Sequence, residues 1–253
     1  MTNADLNGKR ALVTGTASGI GASTAALMTK LGARVIGADI ADDRGRALAR
    51  ELGPKFRYFH ADVTSLKQVE SLVSFVSGEF GRLDVLANVA GVAEWKGFEE
   101  LTEKDWYRVI DTNLKSVIFL TKAALPLLCK SKNAVVINMG SSSAKRAGPN
   151  QICYAASKGG VESATLALAN ALSQYGIRVN AVAPGAIATP FNESMRRGAK
   201  GKAWKDAIAS RTLLRRWGDA EDVAKVIAFL ASDGAKYVTA STYAVDGGRL
   251  AAY

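Results

Sequence analysis

The sequence predicts a single α/β domain spanning residues 1–253, a seven-stranded parallel sheet with helices on both faces. Three observations carry this. Short runs rich in apolar and β-branched residues alternate with longer helical patterns along the chain, as strand–helix–strand crossovers require. Several of those runs are apolar throughout, as strands covered on both faces are. The chain has 253 residues, five prolines and no linker-like or repetitive tract, which suits one domain of this class.

Strands are expected at Arg10–Val13, Arg34–Ala38, Phe56–Phe59, Asp84–Ala87, Ala134–Asn138, Ile177–Val182 and Thr242–Val245. Helical patterns run over Ser65–Phe80, Glu103–Leu128, Ala155–Gln174 and Ala220–Leu230. The stretch 190–216 fits no strand, interrupts the alternation and reads as an inserted lid or helix pair. Apolar content of 48% and charged content of 22% are those of a globular protein rather than a disordered one. Two cysteines, Cys129 and Cys153, cannot build a disulfide framework, so a reducing, cytoplasmic setting is expected. The first ten residues hold no apolar run, so no signal peptide is expected, and no stretch reaches the ~18 apolar residues of a membrane span.

The Gly-rich segment Thr14-Gly15-Thr16-Ala17-Ser18-Gly19-Ile20-Gly21 follows the first strand and opens a helix. Glycines there permit a tight turn, and backbone N–H groups at a helix N-terminus attract a pyrophosphate. Asp39 ends the second strand, 24 residues after Gly15. Its carboxylate is placed to accept both ribose hydroxyls of an adenosine and to repel a 2′-phosphate. Residues 40–43 offer no cation, so NAD is expected over NADP. Asp62 and Val63, at the end of the third strand, are placed to reach the adenine, and Asp62 is equally placed to cap the next helix. Tyr154 and Lys158 are four residues apart on one helix face. A phenol of pKa ~10 is a poor base at neutral pH, and a nearby ammonium is expected to lower that pKa. With one histidine, His60, there is no His-based triad or His-rich zinc site, and no metal is expected. His60 reads as structural.

Taken together, these residues resemble the short-chain dehydrogenase/reductase family over nearly the whole chain. The motifs are Thr14-Gly15-x-x-x-Gly19-Ile20-Gly21, Asp62-Val63, Asn88-Val89-Ala90-Gly91, Asn113, and Ser141 thirteen residues before Tyr154-x-x-x-Lys158. Pro184-Gly185 with Thr189, and Asp246-Gly247-Gly248, complete the series. The resemblance implies a Rossmann fold with strand order 3-2-1-4-5-6-7. It implies Tyr154 as acid/base, Lys158 on the nicotinamide ribose, Ser141 on the substrate oxygen and Asn113 holding a water that relays protons to Lys158. Ser142 competes with Ser141 for that role. It implies a cofactor surface from Gly15, Ser18, Gly19, Ile20, Gly21, Asp39, Asp62, Val63, Asn88, Ala90 and Gly91, with Ile187 and Thr189 beyond Pro184-Gly185 holding the nicotinamide end. One departure is Val89, where the family often has a second Asn; a β-branched residue fits a strand end, and no loss of activity is expected.

By the same resemblance the substrate pocket draws on Trp95, Ser143, Asn150 and Gln151, with Phe191, Met195 and Trp204 from the lid. Such a mixture suits a secondary alcohol or ketone, although the aromatics serve equally well as lid packing. Cys153, beside Tyr154, reads as an inert buried thiol. The family assembles mostly as homotetramers.

The net charge is +10, with 33 basic against 23 acidic residues. Residues 190–216 hold eight basic and two acidic residues, so +6 of the +10 sits there. Charge runs usually mark solvated faces; the sharper reading is attraction of an anionic substrate or an acidic carrier protein bearing 3-oxoacyl groups. A nucleic-acid partner lacks a recognition module and is not expected. A non-catalytic dinucleotide sensor on the same fold would be marked by an incomplete Asn–Ser–Tyr–Lys set.

Overall fold

A computed structural model describes residues 4–252, apart from the side chains of Ser194, Met195, Ala199 and Lys200. The strands are β1 (Arg10–Thr14), β2 (Arg34–Asp39), β3 (Phe56–His60), β4 (Val85–Asn88), β5 (Val135–Met139), β6 (Arg178–Pro184), β7 (Ile187–Ala188), β8 (Gly218–Asp219) and β9 (Thr242–Val245). Seven of them form one parallel sheet in the order β3-β2-β1-β4-β5-β6-β9. This is the expected order, the last strand of the chain lying at one edge. One row of the sheet runs Tyr58, Gly37, Val13, Ala87, Ile137, Asn180.

Successive strand residues point to opposite faces, so neighbours in β1 feed different cores. Val13 packs into a cluster with Ala25 and Met28 of α1 (Gly19–Lys30) and Val223 and Ile227 of α9 (Ala220–Ala231). Leu12 packs on the other face with Leu72 of α3 (Leu66–Phe80), Leu120 of α5 (Ser116–Leu128) and Ala169 of α6 (Ile152–Leu172). Helix α2 (Asp42–Leu52) lies over β3, with Gly45 against the Tyr58 ring. The Tyr58 hydroxyl donates to the Asp39 carbonyl and the Asp42 carboxylate, 2.8 Å each. Among the described residues no helix is long and apolar enough to cross a membrane.

Three sequence expectations need correction. The helical pattern 103–128 is not one helix: α4 (Glu103–Ile110) passes through a π-helical turn, Asp111–Lys115, into α5. The π-turn is a single-turn insertion in an otherwise continuous run of helix, and no residue type in Asp111–Lys115 marks it. Asp62 does not cap α3. Ser65 does, accepting from the Gln68 N–H, while the Asp62 carboxylate accepts from the Thr64 N–H and hydroxyl. Finally, the segment read as a lid contains α7 (Glu193–Arg196) and α8 (Gly198–Ser210), as expected, but it is flanked by two strands that were not. Strands β7 and β8 pair in parallel, Ile187 with Gly218 and Ala188 with Asp219, closing the base of the segment.

Candidate active site

The strand order reverses between β1 and β4, and ligands of open α/β sheets settle in the crevice beyond the carboxyl ends at such a point. Thr14 joins the two sides: its buried hydroxyl accepts the Val89 and Ala90 N–H groups, at 3.0 and 3.1 Å. The Gly15 turn lies against the same loop, where a Cβ on Gly15 would sit 2.9 Å from the Ala90 Cα. A Cβ on Gly21 would lie 2.0 Å from the Gly15 carbonyl oxygen, so only glycine allows α1 to start this close to its own turn. No side chain caps α1, and its first turn carries no acid. Its N-terminal N–H groups therefore face the crevice ready for an anion.

The crevice is a cavity of about 1020 Å³. Gly15, Ser18, Gly19, Ile20 and Gly21 line it from the turn, Asp39, Asp62 and Val63 from the ends of β2 and β3, and Ala90 and Gly91 from β4. Pro184, Gly185, Ile187 and Thr189 follow from β6 and β7. The Asp39 carboxylate is fixed by the N–H groups of Ala17 and Ala41, both at 3.0 Å. A glycine cradle, a bare helix start and this fixed carboxylate match the diphosphate and ribose of a dinucleotide. Asn88, expected on the cofactor, lies behind this surface. Its buried amide donates to Thr121 and Asn138, and Asn138 donates on to Thr165. It ties β4, β5, α5 and α6 together beneath the cavity. Arg44, which the sequence reading passed over, lines the cavity beside Asp39, Ile40 and Ala41.

The remaining expected residues converge farther along. Ser141, Ser142 and Ser143 follow β5, and Tyr154 and Lys158 come from the first turns of α6; all five line the cavity. The Lys158 ammonium nitrogen lies 5.7 Å from the Tyr154 ring centre and donates to the Met139 carbonyl at 2.7 Å. Trp95, Asn150, Gln151 and Trp204 line the cavity too, and the Gln151 amide oxygen accepts from the Gly148 N–H at 2.9 Å. Trp95, Tyr154 and Phe191 form an aromatic trio with ring centres 5.9 to 6.5 Å apart. Trp204 also stacks edge-on against Trp217 at 5.1 Å, so it packs the lid and lines the pocket at once. The Met195 side chain lies outside the described residues.

Asn113 sits on the π-helical turn, buried behind Gly91. Its amide pins the Val92 N–H and C=O, at 2.8 and 2.9 Å, and donates to the Ser157 hydroxyl at 3.0 Å. The chain thus uses Asn113 to fix the loop after β4, a task the sequence reading did not give it. His60 is exposed and pairs with Asp42 at 2.8 Å.

Burial governs the titration of the central pair. It lowers Lys158 to about 7 and pushes Tyr154 up, an effect the Ser141 hydroxyl opposes and Glu94 reinforces. Desolvation disfavours both charged forms, and the amine proton points at Met139; the lowering expected from a close cation together with an oxidised nicotinamide is not supplied by Lys158 alone. Glu94 is a group the sequence reading missed. Its buried carboxylate accepts the Cys153 N–H at 2.8 Å and the Tyr154 N–H at 3.1 Å, capping α6 from a distant loop. The only signal was a lone acid in the run Val92-Ala93-Glu94-Trp95, with its partners 59 and 60 residues away. Cys153 is buried, as expected, and burial raises its thiol.

A fold that offers a dinucleotide cleft, with a phenol and a hydroxyl turned toward its far end, defines an oxidoreductase of the doubly wound class. Relatives narrow that class. The sequence profile described as Enoyl-(Acyl carrier protein) reductase matches residues 15–249. The chain is 40% identical to 3-oxoacyl-[acyl-carrier-protein] reductase FabG of Thermotoga maritima, over 96% of this chain and 98% of that one. It is 36% identical to galactitol 2-dehydrogenase of Agrobacterium fabrum, with the same coverage. The crystal structure of a putative gluconate dehydrogenase from Agrobacterium tumefaciens superposes with a TM-score of 0.93 at 30% identity, covering both chains completely. The chain belongs to the short-chain dehydrogenase/reductase family, whose members use nicotinamide cofactors.

Glu94→Gln tests the cap. Removing the negative charge relieves one upward push on Tyr154, so the pH profile of its phenol, followed by tyrosinate absorbance, moves to lower pH. Stability falls by about 1 kcal/mol, the usual loss of a helix cap. A profile that stays in place would show that Glu94 does not act on Tyr154.

Proposed function

We propose that the chain transfers a hydride between NAD(H) and a secondary alcohol or ketone, with Tyr154 as general acid or base. The observation that carries this is the convergence of Ser141, Tyr154 and Lys158 on one wall of the dinucleotide cleft. When bound, the nicotinamide supplies or accepts the hydride. The Tyr154 phenol exchanges the proton of the substrate oxygen, which the Ser141 hydroxyl holds in place. A buried phenol kept protonated is ready to donate to a carbonyl. Lys158, drawn to neutrality by burial, is the next group able to hold a proton. A non-catalytic sensor is disfavoured, since Asn113, Ser141, Tyr154 and Lys158 are all present. Tyr154→Phe is expected to lower kcat by about 10³-fold while changing NADH binding, read by fluorescence, only a few-fold. Turnover that survives this change overturns the mechanism.

The fixed Asp39 carboxylate supports NAD, since it would meet a 2′-phosphate with like charge. Arg44 pulls the other way but is exposed and lies close enough to Glu193 to lower its pKa. kcat/KM with NAD is expected to exceed that with NADP by about tenfold, or about 1.4 kcal/mol; the reverse preference would remove the assignment.

A second reading, reduction of 3-oxoacyl groups on an acidic carrier protein, draws support from the basic segment 190–216 and from the Thermotoga maritima relative. It requires that a 3-oxoacyl carrier thioester outcompete free ketones. The two free cysteines fit a reducing, cytoplasmic setting. Phe119 of α5 and Leu166 of α6 stand 39% and 51% exposed, which supports a homotetramer assembled through these helices. Light scattering should then find four chains of 26.7 kDa per particle, and a monomer would refute it.

A further inference from the structure

The charged side chains of the large cavity fall into two groups. Asp39 and Asp62 lie at the ends of β2 and β3 and Arg44 in the first turn of α2, Asp111 pairs with Lys115 at 3.3 Å, and Arg108 donates to the Ala93 carbonyl at 3.0 Å. Lys158 donates to Met139. At the other end of the cavity are Arg211 and Arg249, whose guanidinium groups, like that of Arg44, have no ion-pair or hydrogen-bond partner among the described residues. Asp246, the nearby acid, is occupied: its two carboxylate oxygens accept the Gly248 and Leu250 N–H groups, both at 2.9 Å.

The two arginines come from segments fastened to each other. The Leu214 N–H donates to the Gly247 carbonyl at 3.1 Å. A Cβ on Gly248 would lie 2.7 Å from the Leu213 side chain. Arg146 donates to the carbonyls of Arg249 and Ala252, 2.8 Å each, and so holds the backbone from which Arg249 projects. The turn after Arg211 keeps Arg215 in the left-handed region, φ 53°, a conformation that persists only where its surroundings impose it. Burial, Arg146 and Arg211 all push the Arg249 guanidinium down. Arg211 is exposed and Arg249 half-buried; two unpaired guanidinium groups on one cavity that Trp204 and Trp217 also line form an environment that an anion relieves.

We propose that Arg211 and Arg249 are the anion-binding end of the substrate pocket, and that the substrate is a hydroxy or keto carboxylate whose carboxylate they hold while its alcohol or carbonyl carbon lies at Tyr154. This rests on the oxidoreductase reading and names its substrate class. Guanidinium forks match a carboxylate in a bidentate fashion. Arg211 is then a functional member of the lid's basic excess, in which Arg196, Arg197 and Arg216 are instead engaged by Thr189, Glu193 and Asp222.

The test pairs each of a set of keto acids of four to eight carbons with its methyl ester, assayed with the NADH-loaded enzyme. Wild type should favour acid over ester at least tenfold in kcat/KM. The acid rate should fall with ionic strength while the ester rate stays level. Joint Arg211→Gln and Arg249→Gln substitution should bring the acid-to-ester ratio close to one, and Arg249→Lys should leave it between the two. Equal rates for acid and ester in wild type overturn the proposal, as does a ratio unmoved by loss of both arginines. Preference for a phosphorylated ketone over every keto acid overturns the carboxylate assignment. If the double variant fails to fold, the wild-type ratio and its salt dependence decide. Turnover of neutral secondary alcohols with none of the acids defeats the carboxylate site and leaves the dehydrogenase reading intact; absence of any hydride transfer defeats that reading itself.

Discussion

Helix α6 is gripped over its first two turns by groups from elsewhere in the chain. The Glu94 carboxylate receives the N–H groups of Cys153 and Tyr154, and the Lys158 ammonium reaches back to the Met139 carbonyl at the end of β5. These contacts fix where the phenol stands relative to the sheet. A carboxylate at the positive end of the helix is favoured by the dipole, and a buried amine is tolerated because its one strong bond is short and it readily sheds its charge. The Glu94 contact depends on the loop after β4 being held still. Asn113 does that by gripping Val92 from both sides of its peptide units, and the π-helical turn provides the place from which it does so.

The dinucleotide side follows a different logic. There the backbone itself is the ligand surface, so the side chains have been removed from it: Gly15 and Gly21 leave no room for a Cβ. The polar groups that remain brace one loop against the next, as Thr14 does for Val89 and Ala90. Beneath both halves, Asn88, Thr121, Asn138 and Thr165 form a buried hydrogen-bonded ladder. Each member leaves the others unsatisfied if it is lost, so such a ladder specifies how α5 and α6 sit on β4 and β5.

The sheet was legible because its signal is local and repeated: each of its strands is a short run rich in apolar or β-branched residues, and each begins or ends within two residues of where its run does. The glycine turn, Asp39, Ser141, Tyr154 and Lys158 were legible because order and spacing mark them. What escaped was either too short to have a pattern, as with β7 and β8, or defined by a partner far away in sequence. Glu94 meets α6 across 59 residues, and Arg249 meets the turn of Arg211 across 38. Asn88 escaped in a different way. Its place in a motif was visible, but whether its amide turns toward the cleft or into the core depends on Asn138, on the adjacent strand.

The β7–β8 pair has a consequence for how such an enzyme changes. Only two residue pairs join these strands, and they stand apart from the seven-stranded sheet. The chain leaves the sheet region at Ala188 and returns at Gly218 through adjoining points, so a loop of any length can hang between them without disturbing strand register. Phe191, Trp204 and Arg211 are thereby carried to the cavity on a segment separable from the sheet, while Trp95, Gln151 and Arg249 reach it from the rest of the domain. A lineage can reshape that wall of the cavity by rewriting fewer than thirty residues while the seven-stranded sheet keeps its register.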